Sequence, residues 1–356
     1  MKDRLRGMQQ SLKRFNIDAM LVNKPENRRY LSGFTGTAGS LMIDNNKAYL
    51  FTDFRYVEQA KEQSPDFTLV QIGNDYYQKV LHLLQQRGLK KIGFETDFVT
   101  HESFAKLQQE LSGIQLFPVK NITEELRLVK DMEEQQLLQK AVDIVDQAWS
   151  EILSIAKPGM TEEKLALELE FIMRRKGAEG RAFDFIVASG ERGALPHGVA
   201  SQKEMKPGEL VTIDCGAVYN GYHSDMTRNF MLGKPNQKQQ DIYNIVLEAQ
   251  MAGVEAVRPG VPAATVDLAA RNVIERHGYA QNFGHGTGHG VGLAIHEGPR
   301  VSFNEQLVLQ PGMVLTIEPG IYLPGWGGVR IEDIVLVTES GGRVLTKTPK
   351  NQLPVI

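Results

Sequence analysis

A single cysteine, Cys215, in a chain of 356 residues excludes an internal disulfide, so nothing calls for an oxidising compartment. There is no basic excess either. Forty Lys and Arg face 43 Asp and Glu, a net charge of −3, which lacks the footprint of a nucleic-acid binder. No apolar run approaches the roughly 20 residues that a membrane helix needs. The N-terminus, Met1-Lys-Asp-Arg-Leu-Arg, is charged and has no apolar stretch ending in a small-residue cleavage site. The expectation is a cytoplasmic protein that binds neither nucleic acid nor membrane. What is present is an ordinary globular composition, 42% hydrophobic and 23% charged, in a chain long enough for two domains.

The first third alternates helical and strand patterns. Leu5, Met8, Leu12 and Phe15 share one side of a helix over 2–15, Ala19 to Val22 reads as a buried strand, and Leu41 to Phe51 reads as a hairpin turning at Asn45-Asn46. Further segments, including Val80 to Gln86 and Ile92 to Glu95, continue to about Pro118, which argues an α/β layer domain. Residues 118–131 begin without a core pattern and become charge-rich, placing a boundary near 120–130. The division expected is 1–125 and 126–356. A long helix then carries Leu138, Ala141, Val145, Ala148, Trp149 and Ile152 at three- and four-residue steps until Pro158-Gly159 ends it.

The C-terminal part repeats itself. Lys157-Pro-Gly-Met-Thr and its helix, up to Lys176-Gly177, align without a gap on Arg258-Pro-Gly-Val-Pro and its helix, up to His277-Gly278. Lys206-Pro-Gly-Glu-Leu-Val-Thr-Ile-Asp214-Cys-Gly then matches Gln310-Pro-Gly-Met-Val-Leu-Thr-Ile-Glu318-Pro-Gly. Shared turn chemistry in unrelated units is the plainer account, but two pairs in the same order favour a duplicated unit with a pseudo-twofold. Asp214 and Glu318 are then equivalent residues across a central site.

Asn220-Gly221 between strand-like residues is a strong hairpin signal that demands positive φ at both positions. A two-residue turn there pairs Tyr219 with Tyr222 and Gly216 with Asp225. Asp214 is then diagonal to Asp225 on the same face, at roughly 7–8 Å between backbones. Two like charges on an apolar strand pair are costly unless something positive lies between them. Glu318 and Glu332 repeat the device, with the Gly- and Pro-rich residues 324–328 as the connection. Each acid taken singly could be a structural residue, for instance in a salt bridge to Arg330. Between the two pairs lies Phe283-Gly-His285-Gly-Thr-Gly-His289-Gly-Val-Gly-Leu-Ala-Ile-His296-Glu297, where glycines let backbone and imidazoles approach a ligand. It is neither a His-Glu-x-x-His helix nor a phosphate loop ending in Gly-Lys-Ser/Thr.

Asp214, Asp225, His289, Glu318 and Glu332 therefore form a hard, oxygen-rich donor set. It suits Mn²⁺, with Co²⁺ or Zn²⁺ less preferred, and four carboxylates match two divalent cations better than one. Such a pair acidifies a shared water and polarises a carbonyl, which implies hydrolysis. Cys215 points away from Asp214 by strand alternation and reads as a buried hydrophobe. His223 falls on the face opposite Asp225, His277 fits a helix-capping role, and Asp53, Arg55 and Tyr56 read most simply as a strand-to-helix boundary.

At these residues the chain resembles the pita-bread metallopeptidases, and within them aminopeptidase P and prolidase, which cleave bonds preceding proline. The motifs are Asp214 to Asp225, His285-Gly-Thr-Gly-His289-Gly, His296-Glu, Glu318-Pro-Gly and Gly328-Val-Arg-Ile-Glu332-Asp. More loosely, Tyr30-Leu-Ser-Gly-Phe and Thr52-Asp-Phe-Arg-Tyr resemble the creatinase-type N-terminal domain. The resemblance implies an α+β fold: a pita-bread catalytic domain with an internal pseudo-twofold after a smaller α/β domain. It implies that Asp225 and Glu332 bridge two metals, that Asp214 holds one and that His289 with Glu318 holds the other. It makes Glu318 the proton shuttle as well. His197, His285 and His296 match histidines around the substrate, and Arg330 an arginine beside the bridging glutamate. Implied substrates are small peptides with proline second, and the implied assembly is a homodimer.

Other readings share parts of this pattern. Methionine aminopeptidase has the same ligand set, but the N-terminal domain and the Val187-Ala-Ser-Gly and Pro196-His197-Gly stretches argue against it. Creatinase lacks the full ligand set that is intact here, and a non-catalytic binding protein on this scaffold should have lost ligands. Dipeptidase and aminopeptidase differ in whether a free carboxylate near the scissile bond is recognised. Arg300 and Arg330 are both candidates for that contact.

Overall fold

In the first helix, α1 (Lys2–Arg14), Met8 and Leu12 are buried one above the other, four residues apart. The computed structural model describes residues 2–356 and divides into two units, the first ending at Arg127 and the second running Leu128–Ile356. After α1 the first unit continues with β1 (Ala19–Val22), α2 (Pro25–Ser32), β2 (Ser40–Asp44), β3 (Ala48–Thr52), a 3₁₀ turn (Phe54–Tyr56), α3 (Val57–Gln63) and β4 (Thr68–Gln71). It closes with α4 (Tyr76–Gln86), β5 (Lys91–Glu95), α5 (His101–Glu110), β6 (Gln115–Val119) and α6 (Ile122–Arg127). The sheet runs β4-β3-β2-β1-β5-β6. The hairpin joining β2 and β3 turns where its sequence indicated, because the Asp44 carboxylate accepts the Asn46 and Lys47 amides at 2.7 Å each. Asp53 caps the 3₁₀ turn by accepting from the Arg55 amide, so this segment is the strand-to-helix boundary expected.

Helix α6 lies inside the stretch that carried no core pattern. Its buried side chains include the polar Thr123 and Arg127, and Arg127 donates to Asn27 Oδ1 at 2.8 Å. Ile122 is the one apolar side chain among its three buried residues, which leaves no hydrophobic period to read.

The second unit opens on α7 (Met132–Ile155), started by a capping box between Asp131 and Glu134. Then come α8 (Glu162–Arg175), β7 (Gly180–Arg181), β8 (Ile186–Ser189), a 3₁₀ turn (Gly190–Ala194), β9 (Leu210–Cys215), β10 (Ala217–Tyr219), β11 (Tyr222–His223) and β12 (Met226–Met231). The second half has α9 (Gln237–Ala256), α10 (Ala263–Arg276), β13 (Gly288–Gly290), β14 (Glu297–Val301), β15 (Val314–Ile317), β16 (Gly320–Leu323), β17 (Gly327–Arg330), β18 (Asp333–Thr338) and β19 (Gly341–Val344). Both halves thus place two helices before their strands, and each contains a run of four, β9–β12 and β15–β18. One core joins Trp149, Ile172, Val211, Ile213, Cys215 and Phe230, and another joins Tyr243, Val246, Ile321, Val329 and Ile331. Cys215 is a buried hydrophobe here, as strand alternation implied. Among the described residues no helix is long and apolar enough to cross a membrane.

The feature that positions the site is a break in each four-strand run. β9 pairs with β12 from Leu210↔Met231 to Cys215↔Met226, and beyond the break β10 and β11 pair Val218↔His223 and Tyr219↔Tyr222. Asn220 (φ 44°) and Gly221 (φ 69°) make the turn in the left-handed conformation that its sequence demands. At the break, a Cβ on Gly216 would collide with the Ser224 carbonyl oxygen and crowd Ala182. Only glycine lets the two strands cross so closely. In the second half, Ile317↔Asp333 and Gly320↔Arg330 flank the break, which sets Glu318 opposite Glu332.

Gly216→Ala should therefore lower stability by about 1–3 kcal/mol in urea unfolding, since the backbone must move to admit a methyl group. Gly284→Ala, where a Cβ meets nothing within 4 Å, is the control and should change little. Equal effects would count against the crossing as the constraint.

Candidate metal centre

All four carboxylates stand at or beside the strand breaks. Asp225 precedes β12, Glu318 follows β15 and Glu332 precedes β18, outside the named strands, while Asp214 is the penultimate residue of β9 and still pairs with Thr227 and Ile186. Their side chains converge on one space. His289 enters that space from the middle of β13. A Cβ on Gly288 would strike the Thr316 carbonyl, and one on Gly290 the Gly298 carbonyl, so the flanking glycines let β13 press between β14 and β15. The His289 Nδ1 faces the Gly290 carbonyl at 3.0 Å, which can only accept, so Nδ1 carries the proton and Nε2 presents a lone pair to the cluster.

His289 Nε2 lies 3.3 Å from Glu318 Oε1 and 3.5 Å from Asp225 Oδ2. One donor atom each from Asp225, His289 and Glu332 falls within 4.8 Å of the other two. Asp214 spends one oxygen on Arg330 Nη2, at 2.7 Å, and Glu332 spends one on the Thr227 hydroxyl, at 2.7 Å. The other oxygen of each, Asp214 Oδ1 and Glu332 Oε1, is buried without a hydrogen-bond donor. A buried carboxylate oxygen with no donor is costly, and a cation is the partner that chemistry offers. The donor set therefore fits divalent metal.

The electrostatics agree. Burial, reinforced by the charges of Glu332, Asp214 and Glu318, pushes the Asp225 carboxyl well above its ordinary range. Burial and the Glu318 and Asp214 charges do the same to Glu332. Glu318 is also raised, mainly by burial. Burial lowers His289 and His285, and partial desolvation beside His289 and His197 lowers His296.

Around this cluster the candidate substrate residues are placed differently from one another. The His296 ring lies edge-on to His289 with centroids 4.4 Å apart and is exposed. His197 is exposed on the loop after β8, where Arg330 Nη1 donates to the neighbouring Pro196 carbonyl at 3.2 Å. His285 was expected beside the substrate carbonyl, but both its ring nitrogens are engaged by the protein. Nδ1 meets the Gly286 carbonyl and Nε2 meets the Tyr322 hydroxyl, each at 2.8 Å. Arg330 Nη1 also donates to Tyr322, at 3.0 Å, so guanidinium, phenol and imidazole form one chain beside Asp214. Of the two histidines read as structural, His223 faces the Gly292 carbonyl and His277 is the C-cap of α10, with its ring near Glu248 on α9.

Sequence reasoning missed several supports. Tyr322 shares a strand face with Glu318 by alternation, and that period could have found it. Thr316 donates to Glu318 Oε1 at 3.0 Å, two residues away on the same face. Less visible is Arg228, whose guanidinium donates to the Glu332 carbonyl and, at 2.6 Å, to Asp333 Oδ1 beneath the cluster. Asp333 also accepts from Gln250 and Lys350, so the strand carrying Glu332 is held by buried charge.

A buried set of four acids and an imidazole, built by a duplicated hairpin, defines a metal-dependent hydrolase. Comparison with known proteins gives the particular family. Residues 136–339 match the model of metallopeptidase family M24, and residues 4–129 match the creatinase/prolidase N-terminal domain. The chain belongs to metallopeptidase family M24, and its fold is the creatinase-type domain followed by the pita-bread domain. It is 41% identical over 355 residues to the Xaa-Pro dipeptidase of Pyrococcus furiosus, covering 99% of this chain and all of that one. Among solved structures it is similar to the Xaa-Pro dipeptidase from Bacillus anthracis, with a TM-score of 0.98, 43% identity and coverage of 100% and 99%. The X-Pro aminopeptidase from Thermotoga maritima follows at 0.92 and 37%, covering 97% of this chain and 100% of that one.

Metal-free protein carries the repulsion uncompensated. Because the folded-state carboxyl groups are raised, their contribution to stability is lost as pH rises above the unfolded carboxylate range, about 4, whereas the lowered histidines add stability as pH rises through about 6.5. Asp225→Asn removes one carboxyl group and leaves the histidines, so in chelated protein it should raise the melting temperature more at pH 7 than at pH 5.5 relative to wild type. An equal or reversed difference would contradict the arrangement.

Proposed function

We propose that this chain hydrolyses the peptide bond before proline in Xaa-Pro dipeptides. The observation that carries the reading is the convergence of Asp225, His289 and Glu332 with the unpartnered oxygens of Asp214 and Glu332. The relatives named as Xaa-Pro dipeptidases support the substrate. Asp214, Asp225, His289, Glu318 and Glu332 would hold two divalent cations, Mn²⁺ by preference. When bound, these supply a more acidic water and Lewis-acid polarisation of the scissile carbonyl.

The chain's own residues do the rest. Glu318 takes a proton from the attacking water and returns it to the proline nitrogen, which leaves poorly unless protonated. His197 and His296 donate to the developing oxyanion, where fixed donors act most strongly. Arg330, Tyr322 and His285 hold Asp214 and the edge of the site in place.

Chain-length preference follows from Arg300, the exposed residue directly opposite His289 in the β13–β14 pairing. Directly opposed side chains stay on one face, about 5 Å apart at Cβ. A guanidinium there suits the C-terminal carboxylate of a dipeptide. A cytoplasmic homodimer completes the reading, on the strength of the family resemblance and the lone buried cysteine.

With Mn²⁺ restored, hydrolysis of Ala-Pro should exceed that of Ala-Pro-Ala, and Arg300→Ala should raise KM for Ala-Pro at least tenfold while sparing the tripeptide. Faster cleavage of the tripeptide would make the enzyme an aminopeptidase, and cleavage of neither would remove proline from the account.

A further inference from the structure

Far along the chain from the metal cluster, one carboxylate gathers an entire loop. Glu162, the first residue of α8, is fully buried and accepts five hydrogen bonds. Its Oε1 receives the Ser189 amide and hydroxyl, each at 2.8 Å. Its Oε2 receives Arg192 Nε at 2.8 Å, the Ser201 hydroxyl at 2.6 Å and the Ser201 amide at 3.3 Å. Ser189 and Ser201 are the two ends of the segment that carries His197, and Arg192 lies within it. Arg192 also reaches across the segment, donating from Nη2 to the Val199 carbonyl at 2.6 Å. Lys203 closes the knot by donating to the Ser189 hydroxyl at 2.7 Å while paired with Glu209.

The opposite side of the loop rests on the metal-site framework. A Cβ on Gly193 would crowd the Gly328 amide of β17, and Arg330 holds the Pro196 carbonyl. His197 itself is exposed, so no packing of its own fixes its height above the cluster. Side chains anchor the loop from two sides, Arg330 from the metal side and Glu162 from the helix side, next to main-chain bonds from Ala200 to Phe185 and from Glu163 to Ser201. Nothing else about Glu162 requires five donors, since Thr161 already caps α8 by accepting from the Lys164 amide.

We propose that Glu162, with Arg192, is a positioning residue that sets His197 over the metal cluster. Its contribution to catalysis runs through the loop and not through the cations. The proposal rests on the reading of His197 as a substrate-contacting residue. It uses no contact between Glu162 and the metal-binding side chains.

The test uses full-length, Mn²⁺-loaded protein and the variants Glu162→Gln, Arg192→Ala, Arg192→Lys, His197→Ala and the double variant Arg192→Ala with His197→Ala. Two readouts are taken: amide exchange over 190–201 and kcat/KM on Ala-Pro. Glu162→Gln and Arg192→Ala should raise exchange over 190–201 at least tenfold, leaving 283–290 and the metal content unchanged. Arg192→Ala should lower kcat/KM about tenfold, Arg192→Lys should recover part of it, and in the His197→Ala background the same change should cost less than twofold. Unaltered exchange in Arg192→Ala, or an equal loss with and without His197, would overturn the proposal, and Arg192→Ala carries the test if Glu162→Gln does not fold. Because exchange reads the loop directly, failure of wild-type protein to cleave Ala-Pro would count against the substrate reading alone.

Discussion

Four carboxylates held within one buried space repel each other, and most of the second unit can be understood as the means of holding them there. The acids stand at or beside the backbone breaks after β9 and β15 and before β12 and β18. Gly216 allows the first crossing, and the glycines around His289 bring the imidazole in beside the acids. Beneath Glu332, the buried Arg228–Asp333 pair fixes the strand by charge-assisted bonds. A site that costs this much in repulsion and desolvation is stable when positive charge enters it. Fold and chemistry therefore share one constraint.

That constraint explains what the sequence made legible. Strand alternation and the Asn220-Gly221 turn placed Asp214 diagonal to Asp225, and the observed register keeps that relation across the break. The repeat made Glu318 the counterpart of Asp214, and each now stands at a break before a hairpin. Local chemistry also marked the hairpin turn at Asn45-Asn46, which the Asp44 carboxylate closes. Each of these signals is carried by neighbours in the chain or by the recurrence of a local motif.

What stayed hidden depends on distant partners. Helix α6 buries Ile122 beside Thr123 and Arg127, and Arg127 pairs with Asn27 across 100 residues, so no hydrophobic period is left. Glu162 is a first-turn acid on α8 that carries no signal of its own in the sequence, and its five donors come from residues 27 to 39 positions later. His285 matched a substrate histidine by motif, while the three-dimensional arrangement joins its ring to Tyr322 and through it to Arg330. Spacing identifies which side chains share a face. Which donor meets which acceptor across hairpins is set only when the hairpins pack.

The central claim is that this cluster exists to hold divalent cations, and direct counting of bound ions tests it best. Mn²⁺ titrated into chelated protein, followed by calorimetry and by metal analysis after gel filtration, should saturate at two ions per chain and fall to one or none in Glu332→Ala. Fewer than one ion per chain in the wild-type protein, under conditions where it remains folded, would contradict the account.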